Sequence, residues 1–206
     1  MRQKEHWEKI YKKKKATEVS WYQAMPQVPL DFINDLGIPK NAAIIDIGGG
    51  NSYLADNLLK LGFTDITVLD ISTAAINQAK ERLGKAADNI TWIVSDIADF
   101  SSKKLFDFWH DRAAFHFLIS ESETKQYLAV LNKQLSEKGT VLIGTFSTNG
   151  PRSCSGLPVN QYSEKSLSEL LRKGFEKIKC VTVNHHTPLN TVQNFLFCSF
   201  KKIKSA

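Results

Sequence analysis

Three consecutive glycines, placed directly after a buried-strand pattern, constrain the fold of this chain more than any other feature. Residues 44–52 read Ile-Ile-Asp-Ile-Gly-Gly-Gly-Asn-Ser, and a helical pattern follows at once. A β-branched apolar run, a glycine-rich loop and a helix form the first turn of a nucleotide-binding α/β sheet. Glycine permits tight backbone geometry and lets a ligand approach bare peptide groups. The stretch therefore predicts an open sheet with a ligand site at this loop.

The order of strand and helix patterns extends this prediction to the whole chain. Five strand patterns alternate with helical ones up to residue 174, at residues 42–47, 66–69, 90–94, 105–109 and 141–146. Strand patterns at 176–184 and 194–201 then follow one another. This order is typical of a doubly wound sheet that ends in a hairpin. We expect one α/β domain with a mostly parallel, seven-stranded sheet and an antiparallel C-terminal strand. Residues 1–38 would form a helical, aromatic lid segment and residues 39–206 the catalytic α/β core.

The composition is that of an ordinary globular protein, with 42% hydrophobic and 23% charged residues. No apolar stretch approaches the roughly 20 residues that a membrane helix needs, and the N-terminus lacks the apolar core of a secretory signal. Cys154, Cys180 and Cys198 are widely spaced and odd in number, which predicts neither a disulfide framework nor a zinc site. We therefore expect a protein of the reducing cytoplasm without membrane contact.

The net charge of +6 is concentrated at the two ends of the chain, within residues 1–20 and 172–206. Basic ends suit nucleic acid or an acidic protein. A solvated helix face explains the run Lys12–Lys15 more simply, because the flanks lack the interleaved aromatic residues of a single-strand platform. A nucleic-acid partner is therefore not the favoured interpretation.

Four acidic side chains, Asp46, Asp70, Asp96 and Asp111, fall directly after four successive strands or within their final turn. In an open α/β sheet the ligand crevice lies at the carboxyl ends of the strands, so these side chains should converge on one rim. One such aspartate is readily explained as a turn residue. Four in register with strand ends indicate a binding site.

The spacing around the glycines separates the candidate cofactors. A dinucleotide fingerprint needs a glycine at position 53, where this chain has Tyr53, so an NAD-dependent oxidoreductase fits poorly. No Gly-Lys-Ser/Thr sequence is present to hold a triphosphate. Asp70, about 20 residues beyond the glycines, suits ribose hydroxyls, and the Asp46 carboxylate suits a cationic group. S-adenosylmethionine, which carries an amino group, a sulfonium and a ribose, satisfies both.

Three segments resemble the cofactor motifs of class I S-adenosylmethionine-dependent methyltransferases, and the resemblance covers nearly the whole chain. They are Asp46-Ile-Gly-Gly-Gly-Asn-Ser, Val68-Leu-Asp-Ile-Ser and Ser95-Asp-Ile. The resemblance implies a Rossmann-like fold, with the glycines along the methionine part, Asp46 near its amino group, Asp70 on the ribose, and Asp96 and Ile97 framing the adenine. The cofactor-binding residues predicted in this way are Asp46, Gly48, Gly49, Gly50, Ser52, Asp70, Ile71, Asp96 and Ile97.

A narrower similarity follows the fourth strand. Trp109-His-Asp-Arg-Ala-Ala-Phe-His-Phe-Leu118 resembles a segment of thiopurine-methyltransferase-like and lysine-methyltransferase-like enzymes. Together with Trp21-Tyr22 and Cys154-Ser-Gly-Leu-Pro158, it is also similar to a bacterial methyltransferase subfamily, a resemblance that names no substrate. The Asn/Asp-Pro-Pro-Tyr/Phe tetrad of many amide and adenine N-methyltransferases is absent, since residues 110–113 are His-Asp-Arg-Ala.

Methyl transfer needs an aligned nucleophile, from which a proton is removed in some cases. His110 and His116 are the candidate proton acceptors, with Asp111 orienting one of them and Arg112 on the substrate side. A structural interpretation stands beside each role. Asp111 and Arg112 equally suit an ion pair or a helix start, and His116 suits a satisfied buried histidine between two phenylalanines.

Aromatic residues near the N-terminus predict a lid over the methyl donor. Trp7, Tyr11, Trp21 and Tyr22 would form it, although they equally suit packing of the N-terminal helix on the sheet. Cys154, in a glycine- and proline-rich loop on the same rim, fits a loop residue better than a nucleophile, because no partner fixes its thiolate state.

Two functions follow from these patterns. The first is methyl transfer to a sulfur, oxygen or nitrogen atom of a small molecule, and the second is methylation of a protein lysine. A cofactor-binding regulator without catalysis is a third alternative, disfavoured by the intact set of acids. No metal is expected, since His185-His186 has no third ligand at metal spacing.

Overall fold

The structure, a computed structural model, describes residues 2–203 of the 206-residue chain. The helices are α1 (Arg2–Lys13), α2 (Gln27–Asp35), α3 (Leu54–Lys60), α4 (Thr73–Leu83), α5 (Glu121–Gln134) and α6 (Glu164–Leu171). The strands are β1 (Ile44–Ile47), β2 (Ile66–Asp70), β3 (Ile90–Val94), β4 (Phe106–Arg112), β5 (Leu135–Phe146), β6 (Ser153–Cys154), β7 (Leu157–Pro158), β8 (Phe175–His186) and β9 (Val192–Lys202). Short 3-10 turns cover Ala16–Glu18, Gly84–Asn89, Ile97–Asp99 and Phe115–Phe117. Within residues 2–203, no helix has both the length and the apolar character to cross a membrane.

Seven strands form one sheet in the order β3-β2-β1-β4-β5-β9-β8, which confirms the predicted α/β sheet. The strands from β1 to β5 pair in parallel, whereas β9 runs antiparallel to both β5 and β8. The predicted antiparallel C-terminal strand is therefore confirmed, and it lies inside the sheet rather than at its edge. The strand order reverses beside β1, so the crevice for a ligand opens between the ends of β1 and β4.

Helices cover both faces of the sheet. Every residue of β1 and β2 is buried, as expected of parallel strands packed on two sides. On one face Ile45 and Ile47 pack in a core that includes residues of α5 and α6, while Ile44 packs on the other face with residues of α2, α3 and α4. The alternation of side chains along a strand gives each face its own core.

Two strands are longer than their sequence patterns indicate. The strand pattern around residues 105–109 continues to Arg112, so Asp111 and Arg112 lie within β4 rather than after it. The strand expected at residues 141–146 begins six residues earlier, at Leu135. Charged and polar side chains at these positions hide the continuation, because a pattern of apolar runs stops where a strand end becomes polar.

The expectation of no disulfide is wrong for one pair of cysteines. Cys180 on β8 and Cys198 on β9 are direct cross-strand partners, and a disulfide joins them with their Cα atoms 4.1 Å apart. They are 18 residues apart in the chain. Only the register of the hairpin brings them together, and cysteine spacing alone does not reveal that register. Cys154 is a free, buried thiol.

Candidate active site

Two adjoining cavities lie at the carboxyl ends of β1, β2 and β4. The space open to the centres of water-sized molecules is about 130 Å³ in the larger cavity and about 50 Å³ in the smaller. Four residues line both cavities, namely Tyr11, Trp21, Gly48 and Arg112. The smaller cavity is further bounded by Asp46 and His110, and the larger by Asp70, Asp96 and Cys154.

A buried pair of side chains forms the floor of the smaller cavity. Asp46 on β1 and His110 on β4 are register partners, and the Nδ1 atom of His110 lies 2.6 Å from Oδ1 of Asp46. The second carboxylate oxygen of Asp46 has no hydrogen-bond partner among the described residues, and neither does Nε2 of His110. An unpaired buried carboxylate oxygen costs free energy unless a ligand supplies a donor. Asp46 therefore fits the ammonium group of an amino acid as its ligand.

The glycine loop packs directly against two carboxylates. A Cβ atom at position 49 would lie 2.4 Å from Oδ2 of Asp46, and one at position 50 would lie 2.4 Å from Oδ2 of Asp70. Both distances are too short for any side chain. These glycines are thus required by the acidic groups beside them, and not only by the approach of a ligand.

Asp70 ends β2 and lies at the wall of the larger cavity. Its carboxylate accepts a hydrogen bond of 2.7 Å from the backbone N–H of Ser72. Burial is the main reason that the pKa of Asp70 rises to about 7, and the charges of Asp46 and Glu8 add to it, against the lowering effect of backbone donors. A polar ligand that donates hydrogen bonds would stabilise the ionised form.

Arg82 on α4 holds the loop that follows the glycines. It donates to both carboxylate oxygens of Asp56, at 3.0 and 2.8 Å, and to the backbone oxygen of Ser52 at 2.8 Å. It also bonds to Asn51, and its guanidinium lies 4.0 Å from the ring centroid of Tyr53. Bidentate pairing of this kind fixes orientation as well as charge. Sequence reasoning missed Arg82, because nothing in its local sequence links it to a loop some thirty residues earlier.

The N-terminal helix α1 lies across the cavities and is anchored to α4. The Glu8 carboxylate accepts hydrogen bonds from the Ser72 hydroxyl at 2.8 Å and from the Ala74 backbone N–H at 3.1 Å. Farther along, the side chain of Gln78 on α4 donates to the backbone oxygen of Tyr11. Glu8 thus sits at the N-terminus of α4, where a negative charge is favourable.

Aromatic rings complete this cover. The ring centroid of Trp7 lies 5.8 Å from that of Trp21 and 5.1 Å from that of Phe117, both in edge-to-face contacts. Tyr11 is buried and lies 6.1 Å from Trp21, and Tyr22 packs on Tyr53 at 5.4 Å. All four aromatic residues of the predicted lid line a cavity: Trp7, Tyr11, Trp21 and Tyr22.

Arg112, the last residue of β4, lies where the two cavities meet. Its Nη1 atom donates to the backbone oxygen of Trp21 at 2.9 Å, and its guanidinium carbon lies 4.8 Å from the ring centroid of Phe195. The Nε and Nη2 atoms have no hydrogen-bond partner among the described residues. Burial lowers the pKa of Arg112 to about 10, opposed by Cys154 and Asp46, so the side chain is still a cation at neutral pH.

Asp111 lines neither cavity and instead stabilises the turn after β4. Its carboxylate accepts hydrogen bonds from the backbone N–H groups of Ala114 and Phe115, each at 3.0 Å, and from the hydroxyl of Tyr127 at 2.8 Å. Burial raises the pKa of Asp111 to about 6, which these donors oppose. Ala113 adopts a left-handed conformation with φ of 68°. Asp111 therefore fixes the strained turn that directly follows Arg112.

His116 also lies outside both cavity linings. It is completely buried, and its Nδ1 atom accepts a hydrogen bond of 3.4 Å from the backbone N–H of Phe146. Burial, together with the charge of Arg112, lowers the pKa of His116 to about 3. The ring is therefore neutral, and the structure supports its interpretation as a buried histidine rather than as a proton acceptor.

The predicted cofactor residues lie together. All of them except Gly50 line one of the two cavities, with Asp46, Gly49 and Ser52 in the smaller and Asp96 in the larger. Asp96 also accepts a hydrogen bond from the backbone N–H of Ala98, which orients its side chain. Several larger-cavity residues were not predicted because they come from distant loops and from β5 and β9: Phe117, Leu118, Phe146, Gln193 and Phe195.

Cys154 lies in the wall of the larger cavity, on β6. Its thiol is buried, and burial raises its pKa, against a lowering effect of Ser155 and Arg112. The protonated thiol is therefore the main form at neutral pH. Among residues 2–203, no three histidine, cysteine or acidic side chains lie close enough together to hold a metal ion.

The glycine loop, the strand-end acids and the sheet order agree with a comparison to known families. Residues 38–199 match the family model described as a methyltransferase domain. The chain belongs to this family. The matched residues include β1 to β8, most of β9 and the helices between them, and α1 and α2 precede them.

Two curated relatives and one solved structure illustrate the range of similar proteins. The chain is 25% identical over 172 residues to the eEF1A lysine and N-terminal methyltransferase of Mus musculus, which covers 83% of this chain and 24% of that protein. It is 36% identical over 105 residues to the malonyl-[acyl-carrier protein] O-methyltransferase of Anoxybacillus flavithermus, covering 50% of this chain and 38% of that protein. The chain thus spans well under half the length of either relative.

The solved structure is the 1,6-didemethyltoxoflavin-N1-methyltransferase of Burkholderia thailandensis, with bound 1,6-didemethyltoxoflavin and S-adenosylhomocysteine. It superposes with a TM-score of 0.70 at 20% sequence identity, covering 88% of this chain and 79% of that chain. At this identity the likeness shows a shared fold.

Proposed function

We propose that this methyltransferase domain uses S-adenosylmethionine to methylate a sulfur, oxygen or nitrogen atom of a small molecule. The observation that carries the proposal is the pair of adjoining cavities. The smaller presents an unpaired carboxylate oxygen of Asp46, and the larger presents Asp70 beside Asp96. These groups match the amino group, the ribose and the adenine of one extended ligand.

Each acidic residue has a distinct part in holding the donor. The free oxygen of Asp46 would accept from the donor's amino group, while His110 holds the other oxygen. Asp70 would accept from the ribose hydroxyls, and Asp96 with Ile97 would border the adenine. When bound, S-adenosylmethionine supplies an electrophilic methyl group on a sulfonium. The relatives named above, and the S-adenosylhomocysteine in the solved structure, support this assignment.

The remainder of the larger cavity would receive the acceptor. Its walls include Trp7, Phe146 and Phe195, which exclude water and restrict the acceptor to few orientations. Such positioning supplies up to roughly 7–11 kcal/mol of the barrier reduction in well-aligned systems. Of the two candidate proton acceptors, His110 lines only the smaller cavity and His116 lines neither, so neither histidine borders the chamber proposed for the acceptor. Asp111 acts as a positioning residue for Arg112.

A protein lysine is the second candidate acceptor, favoured by the eEF1A lysine methyltransferase relatives. The charges of the larger cavity argue against it. Its acidic residues, Asp70 and Asp96, are assigned to the donor, and Arg112 is its one cationic side chain among those described. A lysine ammonium would therefore face a cation, which disfavours binding. The aromatic side chains that line the larger cavity also suit a small apolar molecule.

We further propose a cytoplasmic location. Its support is the composition of the chain, together with a donor that is a small metabolite. In a reducing cytoplasm Cys180 and Cys198 would be thiols rather than the disulfide of the structure. The two thiols then face each other across β8 and β9, and oxidation joins them in the disulfide.

Calorimetric titration with S-adenosylhomocysteine tests the donor site. We expect micromolar affinity for S-adenosylhomocysteine and none for NADH. Asp46→Asn should weaken the binding about tenfold or more, because it removes the charge that faces the amino group. Asp31→Asn is the matched control, since Asp31 is exposed on α2 and contacts only Gln27 among the side chains described. Tighter binding of NADH, or none of S-adenosylhomocysteine, would reject the proposed function.

A further inference from the structure

Arg112 is a partly buried cation, and the donor site leaves two of its buried nitrogens without a partner. One of its guanidinium nitrogens is bonded to Trp21, and the other two have no partner among the described residues. The two side chains whose negative charge would raise the pKa of Arg112 are Cys154 and Asp46. The thiol of Cys154 is protonated, and Asp46 is bonded to His110, so neither neutralises the guanidinium directly.

The position of Arg112 favours the acceptor over the donor as its partner. Arg112 itself lines both cavities, but Phe195, whose ring lies against its guanidinium, lines only the larger one. The smaller cavity, where the donor's amino-acid end belongs, has a cation of its own in Lys15 at its exposed rim. We assign the donor's carboxylate to Lys15, which leaves the free N–H groups of Arg112 for the acceptor.

The guanidinium is also rigid, which makes it suited to recognition. The bond to Trp21 fixes one edge, the ring of Phe195 lies against the guanidinium, and Asp111 anchors the turn that follows. A preorganised arginine loses little entropy when it forms two parallel hydrogen bonds to a carboxylate. A buried N–H group without a hydrogen-bond partner gains the most free energy when such a carboxylate binds.

We propose that Arg112 binds an anionic group of the methyl acceptor, and that the acceptor is a small aromatic or apolar acid, with a carboxylate as the reference anion. This inference rests on the proposed function and specifies its substrate class. The aromatic walls receive the apolar body of the acceptor, and Arg112 fixes its charged end. The alternative partner of Arg112 is the carboxylate of the methyl donor itself, and the experiment distinguishes the two.

The test compares two probes of equal size by ¹⁹F NMR titration, 4-(trifluoromethyl)benzoate and 4-(trifluoromethyl)benzamide, with and without saturating S-adenosylhomocysteine. The wild-type protein should bind the benzoate about tenfold or more tightly than the benzamide, and S-adenosylhomocysteine should not displace it. Arg112→Gln should abolish the preference, and Arg112→Lys should retain part of it. Arg172→Gln is the control, since Arg172 is an exposed arginine of the α6 end that pairs with Glu169.

Three results would overturn the inference. One is the absence of any preference for the benzoate, including binding of neither probe. Another is a preference that persists in Arg112→Gln. The third combines two observations: S-adenosylhomocysteine displaces the benzoate, and Arg112→Gln lowers the affinity for S-adenosylhomocysteine tenfold. That result would assign Arg112 to the donor's carboxylate. The S-adenosylhomocysteine affinity of each sample separates these failures from a failure of the proposed function, in which the wild-type protein binds no donor product.

Discussion

At the scale of single residues, the site is built from charges that the free protein leaves incompletely paired. Asp46 and Arg112 each keep buried polar atoms without partners, and the pKa of Asp70 is raised to about 7, mainly by burial. Such groups lower the stability of the empty protein. A ligand that pairs these groups recovers this free energy when it binds. The lower stability of the empty protein and its affinity for the ligand therefore have the same origin.

Asp70 provides a direct test of this relation. Its folded pKa of about 7 lies above the ordinary value of 3.8, so the folded state binds more protons than the unfolded state between these two values. Stability contributed by this residue is therefore present at low pH and lost as the pH rises from about 4 through 7. Asp70→Asn should raise the melting temperature at pH 8 by several degrees relative to wild type and much less at pH 5, while it weakens S-adenosylhomocysteine binding.

Thermal unfolding of both proteins at the two pH values measures the effect, with Asp31→Asn as a control that should follow wild type at each. An equal shift of the melting temperature at pH 5 and pH 8 would contradict the burial-driven rise in the pKa of Asp70.

The residues that sequence reasoning located, and those it missed, differ in where their partners lie. Asp46, Asp70 and Asp96 were found because strand ends of a parallel sheet meet at one rim, a property of the pattern itself. Asp111 was placed in the site by the same logic, yet it bonds to Tyr127 and to the turn after β4. Its role depends on the direction of one side chain at the end of a strand, and no local pattern fixes that direction.

At the scale of elements, helix α1 borders the cavities and is held to α4 by the Glu8 carboxylate and by the side chain of Gln78. Glu8 links it to the start of α4, and the aromatic rings of Trp7 and Tyr11 lie over the cavities. The helical pattern near the N-terminus predicted α1 and its aromatic face. It did not predict the attachment, because Ser72 and Ala74 are more than sixty residues away in the chain.

Glu8→Gln should therefore weaken the contact between α1 and α4, while the protein still binds S-adenosylhomocysteine. Charge-assisted hydrogen bonds contribute about 1.5–3 kcal/mol each, so the loss of the charge should raise the dissociation rate of S-adenosylhomocysteine about tenfold. Stopped-flow tryptophan fluorescence follows the release. Glu5→Gln, an exposed position on the same helix, should leave the rate unchanged. Equal rates for Glu8→Gln and wild type would show that α1 does not retain the ligand through this contact.

The β8–β9 hairpin carries the second prediction at this scale. Its disulfide closes a loop of 18 residues, for which loop entropy predicts a stabilisation of roughly 3 kcal/mol. Reduction should lower the free energy of unfolding by about this amount in denaturant titrations. The double variant Cys180→Ser/Cys198→Ser should not respond to reductant, whereas Cys154→Ser should respond as wild type does. A wild-type protein insensitive to reductant would indicate that the pair is present as thiols.

At the scale of the whole molecule, the fold was the most predictable level. Alternating strand and helix patterns predicted the doubly wound sheet, and the two consecutive C-terminal strands predicted an antiparallel strand, although not its place between β5 and β8. The acceptor cavity was much less predictable. Its walls come from α1, β4, β5, β6 and β9, so its shape and charge arise only when these elements assemble. The donor site is a property of neighbouring strands, whereas the acceptor site is a property of the assembled molecule.

The most direct test of the proposed donor site is a crystal structure of the protein with S-adenosylhomocysteine. We predict one ligand extending through both cavities, with its amino group within hydrogen-bond distance of the free oxygen of Asp46 and its ribose hydroxyls on Asp70. The guanidinium of Arg112 should remain free of the ligand's carboxylate. A ligand bound elsewhere, or bound with its ribose away from Asp70, would contradict the central claim that these two cavities form the methyl-donor site.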